Sequence, residues 1–196
     1  MKNSLILPLI LLTSFAFGQL SFGLKAGVNI SNFSGGDFNT VKKSALVGFH
    51  GGGLIHLGIG HHLVLQPELL YSTQGAKLEN AGIKTDYKLD YINIPVMLQY
   101  ETDGGFYLEA GPQIGFKASE AVPDSIPAKT SDLAIGLGLG YHSKGGFGIG
   151  GRYNVGISKV GDFDASNISP DFKNAVLQFS IFYTFLNKRR KEKKQQ

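Results

Sequence analysis

Four ionisable side chains, Lys25, Glu68, Glu109 and Arg152, each stand in the middle of a segment whose alternate residues are apolar. Paired glutamates can share acid–base work when one holds a proton and the other a charge. Two carboxylates set among two cations can instead neutralise one another in a confined space, where an uncompensated buried charge costs several kcal/mol. The rest of the sequence favours the second chemistry. No serine–histidine–acid grouping and no metal-ligand spacing accompanies the glutamates. His61 and His62 are adjacent, so on an extended chain they point apart and chelate poorly. His50, His56 and His142 fall on the polar side of their segments and read as hydrogen-bonding interior residues. Without cysteine there is no disulfide, thiolate site or thiol nucleophile. The runs GIGGRYNVG and GLGLGYHSKGG look like phosphate loops, but neither opens a helix, as such a loop must. The sequence thus predicts no catalytic residue, no cofactor and no metal, and a chain that is not an enzyme.

The elements that must position these charges repeat with a period of two. In SFGLKAGVNIS, Phe22, Leu24, Ala26, Val28 and Ile30 share one face, and Gly23, Lys25, Gly27 and Asn29 share the other. The same alternation returns in seven further segments, the last carrying Ala175, Leu177, Phe179, Ile181, Tyr183 and Phe185. No helical period competes with it between Gln19 and Leu186. Short links at 58–61, 101–105 and 143–146 alternate with longer ones near 32–43, 74–87, 119–130 and 159–172. Short turns on one side and long loops on the other are the rhythm of transmembrane β-barrels. An even number of tilted strands, each needing about 9–11 residues to cross, closes without leaving an unpaired edge in lipid. The expected fold is all-β: an eight-stranded antiparallel up-and-down transmembrane barrel, with Leu63, Leu65 and Leu69 facing lipid and Gln66 and Glu68 facing a polar interior.

In a ring of eight strands the first lies across from the fifth and the third from the seventh, which predicts pairs Lys25–Glu109 and Glu68–Arg152. Eight strands leave an interior that side chains can fill, and Gly136, Gly138, Gly148 and Gly150 make room there for Gln66, Gln113 and Tyr107. Tyr100, Phe106, Tyr141, Phe147, Tyr183 and Phe185 gather at the short-turn ends, where an interfacial aromatic girdle belongs. Pro67, Pro95 and Pro112 fall inside the strands and each removes a ladder donor, so local bulges are expected at all three.

The two ends differ in kind from the middle. MKNSLILPLILLTSFAFG has a lysine, an apolar core and a small-x-small ending, the layout of a secretory signal over residues 1–18. The barrel domain is then 19–186, and 187–196 is a basic tail in the periplasm. KRRKEKK, Lys188 to Lys194, carries a net +5 and Lys2 a further +1 of the total +4, so the remainder is −2. That balance offers no groove for nucleic acid.

The stretches GLKAGVNISNFSG, LQPELLYSTQGAK, LDYINIPVMLQY and FYLEAGPQIGFKAS together resemble the outer-membrane β-barrel family of Bacteroidota, often labelled "porin family protein", which includes the secretion protein PorT. The resemblance runs from Phe22 to Phe185 and implies an outer-membrane barrel with no catalytic residues and no settled ligand. QFSIFYTF, Gln178 to Phe185, is read as the signal that the barrel-assembly machinery recognises. The expected partners are therefore outer-membrane lipid and that machinery, with a monomeric chain. The expected role is structural, adhesive or assembly-related through the outer loops; the alternatives are a small-solute porin or a secretion-associated component.

Overall fold

The computed structural model describes residues 20–35, 42–80, 83–121, 129–159 and 172–185, and these form one closed sheet. Eight antiparallel strands follow one another in chain order: β1 (Leu20–Ser34), β2 (Lys42–Gly58), β3 (Leu63–Asn80), β4 (Ile83–Glu101), β5 (Phe106–Ala121), β6 (Ser131–His142), β7 (Phe147–Gly156) and β8 (Lys173–Phe185). β8 returns to β1 with Phe22 opposite Phe185 and Ser34 opposite Lys173, which removes both sheet edges. The signal segment and the basic tail lie outside the described residues.

Inside-out patterning follows from the strand period. Along β1 the even-numbered Phe22, Leu24 and Val28 are exposed, whereas Lys25, Asn29 and Ser31 are buried. β6 repeats this with Leu133, Ile135, Leu137 and Leu139 outside and Asp132 and Ala134 inside. The bore is not purely polar, however. Val64, Leu70, Met97, Tyr107 and Phe182 also point inward and are buried.

Two of the short turns have the same construction. Thr102–Gly105 and Ser143–Gly146 each close with a bond from the first residue's N–H to the carbonyl of Phe106 or Phe147, and each ends on a glycine at positive φ, 91° for Gly105 and 93° for Gly146. A side chain at that conformation is strained, which accounts for the glycine that ends each turn.

The strands depart from the sequence reading in two ways, at the opposite end and at the mid-strand prolines. Residues 74–87, expected as a long loop, are mostly strand: β3 and β4 stay paired from Gln74↔Leu89 to Asn80↔Ile83 and project as a hairpin. The prolines produce no register shift. Ladder rungs are missing beside them, but the shifts fall between Ala45 and His50 on β2 and at Asp90/Tyr91 where β4 meets β5. A missing N–H costs one rung; a bulge needs an extra residue, and the flanking rungs keep the same register on both sides of each proline.

Candidate functional site

The centre of the lumen is held by charges from the four odd-numbered strands. Lys25 Nζ on β1 donates to Glu68 Oε1 on β3 at 2.6 Å. Arg152 on β7 grips both carboxylates: NH1 and NH2 donate to Glu68 Oε2 and Oε1 at 3.0 and 2.7 Å, and Nε and NH2 donate to Glu109 Oε1 and Oε2 at 2.7 and 3.1 Å. Gln66 Nε2 adds a bond to Glu68 Oε1 at 2.8 Å, and Gln99 Nε2 one to Glu109 Oε2 at 3.0 Å. The quartet is formally neutral and almost dry, with side-chain exposures of 4% or less. Bidentate guanidinium–carboxylate bonds of this kind are charge-assisted and geometrically specific.

Lys25 therefore meets Glu68 rather than the expected Glu109. The reason lies in the intervening glycines. Gly52, on β2 opposite Lys25, puts no side chain into the lumen, so the lysine passes over it to the next strand but one. Glu109, Gly138 and Arg152 likewise lie in one line across β5, β6 and β7, and a Cβ at Gly138 would sit 2.6 Å from Glu109 Oε1. Only the Glu68–Arg152 pair spans the lumen as the ring count suggests. The space above the other glycines goes to Tyr107, as expected, and to Phe182, which was not. Gly140 and Gly150 leave room for the Tyr107 ring and hydroxyl, and Gly148 for Phe182; Gln66 and Gln113 do not fill these gaps.

Above the quartet, toward the long connections, lies a neutral network. Asn29 Nδ2 donates to the carbonyls of Phe49 and Thr73, which fixes its amide and leaves Oδ1 to accept from His50 Nδ1 at 2.7 Å and Gln178 Nε2 at 3.1 Å. Asn154 Nδ2 continues the chain to Gln178 Oε1 at 2.8 Å. Beyond it an apolar plug forms from Phe33, Ala76, Tyr87, Leu89, Tyr91 and Phe172.

Below the quartet, Leu54, Tyr107 and Phe182 pack together, and then His56, Glu101 and His142 meet at the short-turn rim. The sequence reading separated these three, placing Glu101 in a turn. Its odd position on β4, in step with Gln99 and Met97, was the signal that it points inward.

On the outside, Tyr100, Phe106, Tyr141, Phe147, Tyr183 and Phe185 are all exposed near that same rim. Phe106 and Tyr141 stand edge to face at 5.2 Å, as do Tyr183 and Phe185. These aromatics border β4 to β8; over β1 to β3 the rim is Leu20, Phe22 and Leu63. Toward the other end Phe49 and Tyr71 pair at 5.9 Å, a contact the sequence reading did not single out.

A closed barrel with apolar residues outside and neutralised charges inside is the architecture of an outer-membrane protein. The family model described as "Outer membrane protein beta-barrel domain" matches residues 13–162, and the chain belongs to this family of outer-membrane barrels. Solved structures agree in fold. Neisserial surface protein A (NspA) superposes with a TM-score of 0.53 at 16% identity, covering 84% of this chain and 97% of its own. OprG from Pseudomonas aeruginosa gives 0.54 at 12% identity, covering 87% and 98%. Ail, the attachment invasion locus protein of Yersinia pestis, in complex with the heparin analogue sucrose octasulfate, gives 0.50 at 15% identity, covering 85% and 99%. No curated protein matches the sequence significantly.

Proposed function

We propose that this chain is a non-enzymatic outer-membrane barrel whose lumen is plugged by its own side chains and whose structural, adhesive or assembly-related role is carried by the long-connection end. The observation that carries the reading is Arg152. It occupies both carboxylates across the bore and leaves none of its own nitrogens unused. Solute passage would require breaking charge-assisted bonds in a nearly dry interior, and breaking one partner of such a group typically costs about 3–5 kcal/mol. The short-turn rim, with its exposed aromatics, faces the periplasm in this reading, and the four sequence stretches quoted above support a place among the Bacteroidota barrels that include PorT.

Planar-bilayer recording of the purified barrel tests the plug. No stable, large single-channel current is expected; such a current would favour the small-solute porin reading. A secretion-associated role would instead appear as a defined protein partner in crosslinking pull-downs from native envelopes that survives replacement of the long connections.

A further inference from the structure

His56, Glu101 and His142 close the lumen at the short-turn mouth, from the C-terminal ends of β2, β4 and β6. Glu101 Oε2 lies 3.7 Å from His56 Nε2 and 3.6 Å from His142 Nδ1, and the three atoms lie within 4.8 Å of one another. The two rings stand edge to face with centroids 5.0 Å apart. Both histidines are buried, and Glu101 is 14% exposed.

The second nitrogen of each ring has a partner of its own. Gln66 donates through Nε2 to the Glu68 carboxylate, so its Oε1, 3.2 Å from His56 Nδ1, can only accept. His56 Nδ1 therefore carries the proton and Nε2 the lone pair. Thr184 Oγ1 lies 3.3 Å from the Gly146 carbonyl, to which it can donate, and 3.0 Å from His142 Nε2, from which it then accepts; in that tautomer His142 Nδ1 carries the lone pair. Both lone pairs thus face one carboxylate oxygen. Two imidazole nitrogens and a carboxylate oxygen turned on one point are a donor set that a divalent cation takes up.

We propose that His56, Glu101 and His142 bind one divalent first-row transition ion, Zn²⁺ by preference, across the short-turn mouth of the barrel. Two neutral imidazoles and a carboxylate with a fourth position open to water form an established zinc donor set. An ion about 2.0–2.2 Å from each donor spaces tetrahedral ligands roughly 3.3–3.5 Å apart, close to the two carboxylate separations. Small rotations of the rings complete the approach. The outer bonds from Gln66 and Thr184 are of the sort that orient metal-bound histidines. Gln66 also ties this mouth to the charged quartet through Glu68, so the ion would staple three strands to the centre of the barrel.

The test uses the full, untagged chain, folded in detergent and stripped with a chelator, titrated with Co²⁺ by its visible absorption and then displaced with Zn²⁺. One equivalent per chain with tetrahedral-type bands is expected. His142→Gln and Glu101→Gln should weaken binding by roughly 100-fold, and Thr184→Val, which removes only the outer bond, by about tenfold. His61→Ala should leave it unchanged. Heat-modifiable gel migration reports that each variant is still a closed barrel. Folded wild-type protein that gives no such bands, or a folded His56→Gln/Glu101→Gln/His142→Gln variant that binds as tightly as wild type, overturns the proposal.

Discussion

Two inward-facing layers of this barrel have opposite chemistry. At mid-height the lumen holds Lys25, Glu68, Glu109 and Arg152; toward the long connections it holds Phe33, Tyr87, Leu89, Tyr91 and Phe172. The difference tracks what lies outside. Around the quartet the outward residues are Leu24, Leu69, Leu108 and Leu137, more than half exposed. Around the apolar plug they are Lys77, Asp86 and Lys88, with Lys88 Nζ 3.8 Å from Asp86 Oδ2. The chain is inside-out where hydrocarbon surrounds it and reverts to apolar-in, polar-out where the β3–β4 hairpin stands in water. Asp90 marks the crossing. Its carboxylate accepts from Thr73 Oγ1 and Ser119 Oγ at 2.6 and 2.8 Å, beside the bulge at Asp90/Tyr91. From Ile92 to Tyr100 the outward face of β4 is apolar. At about 3.4 Å per residue and a tilt of about 40°, that stretch spans roughly 21 Å, near the ~25 Å band of such barrels.

The sharpest way to break this contrast is Arg152→Met. Leaving Glu68 and Glu109 without their shared cation should cost about 3–5 kcal/mol in denaturant unfolding from lipid vesicles. Arg152→Lys, which keeps the charge but loses the planar fork, should fall between. A loss under about 1 kcal/mol for Arg152→Met would mean that the quartet does not hold the mid-barrel together. Next in size is Leu137→Arg on the outer face at mid-height. In lipid it should cost about 2–4 kcal/mol, and a negligible cost would place that face in water. The smallest effect is expected at the hairpin. Lys88→Leu should change stability by no more than about 0.5 kcal/mol, because its outer face is already in water; a large gain in lipid would extend the hydrocarbon boundary up to the hairpin.

Much of this was legible in the sequence because side-chain direction on a strand is a local property. Counting alternate residues from Phe22 to Phe185 is enough to put Leu24 outside and Lys25 inside, and eight such segments are enough to close a ring. The hairpin was misread for the same local reason. QGAKLENAGIKTDY is rich in the residues of loops, and only cross-strand pairing, Ala76↔Tyr87 among others, makes it a sheet.

Which interior groups touch could not be counted out in this way. Strand stagger sets the height at which each residue enters the lumen, and glycines on the strands between decide how far a side chain can reach. Lys25 finds Glu68 because Gly52 leaves the path open, and Arg152 finds Glu109 across Gly138. His56, Glu101 and His142 are far apart in the chain and share one point only after closure. The sequence by itself determined the two faces and the number of strands, since both follow from a period of two along a single segment. The tertiary structure alone decided the partners inside, because contact across a barrel depends on register summed over several strands, and no single segment carries that sum.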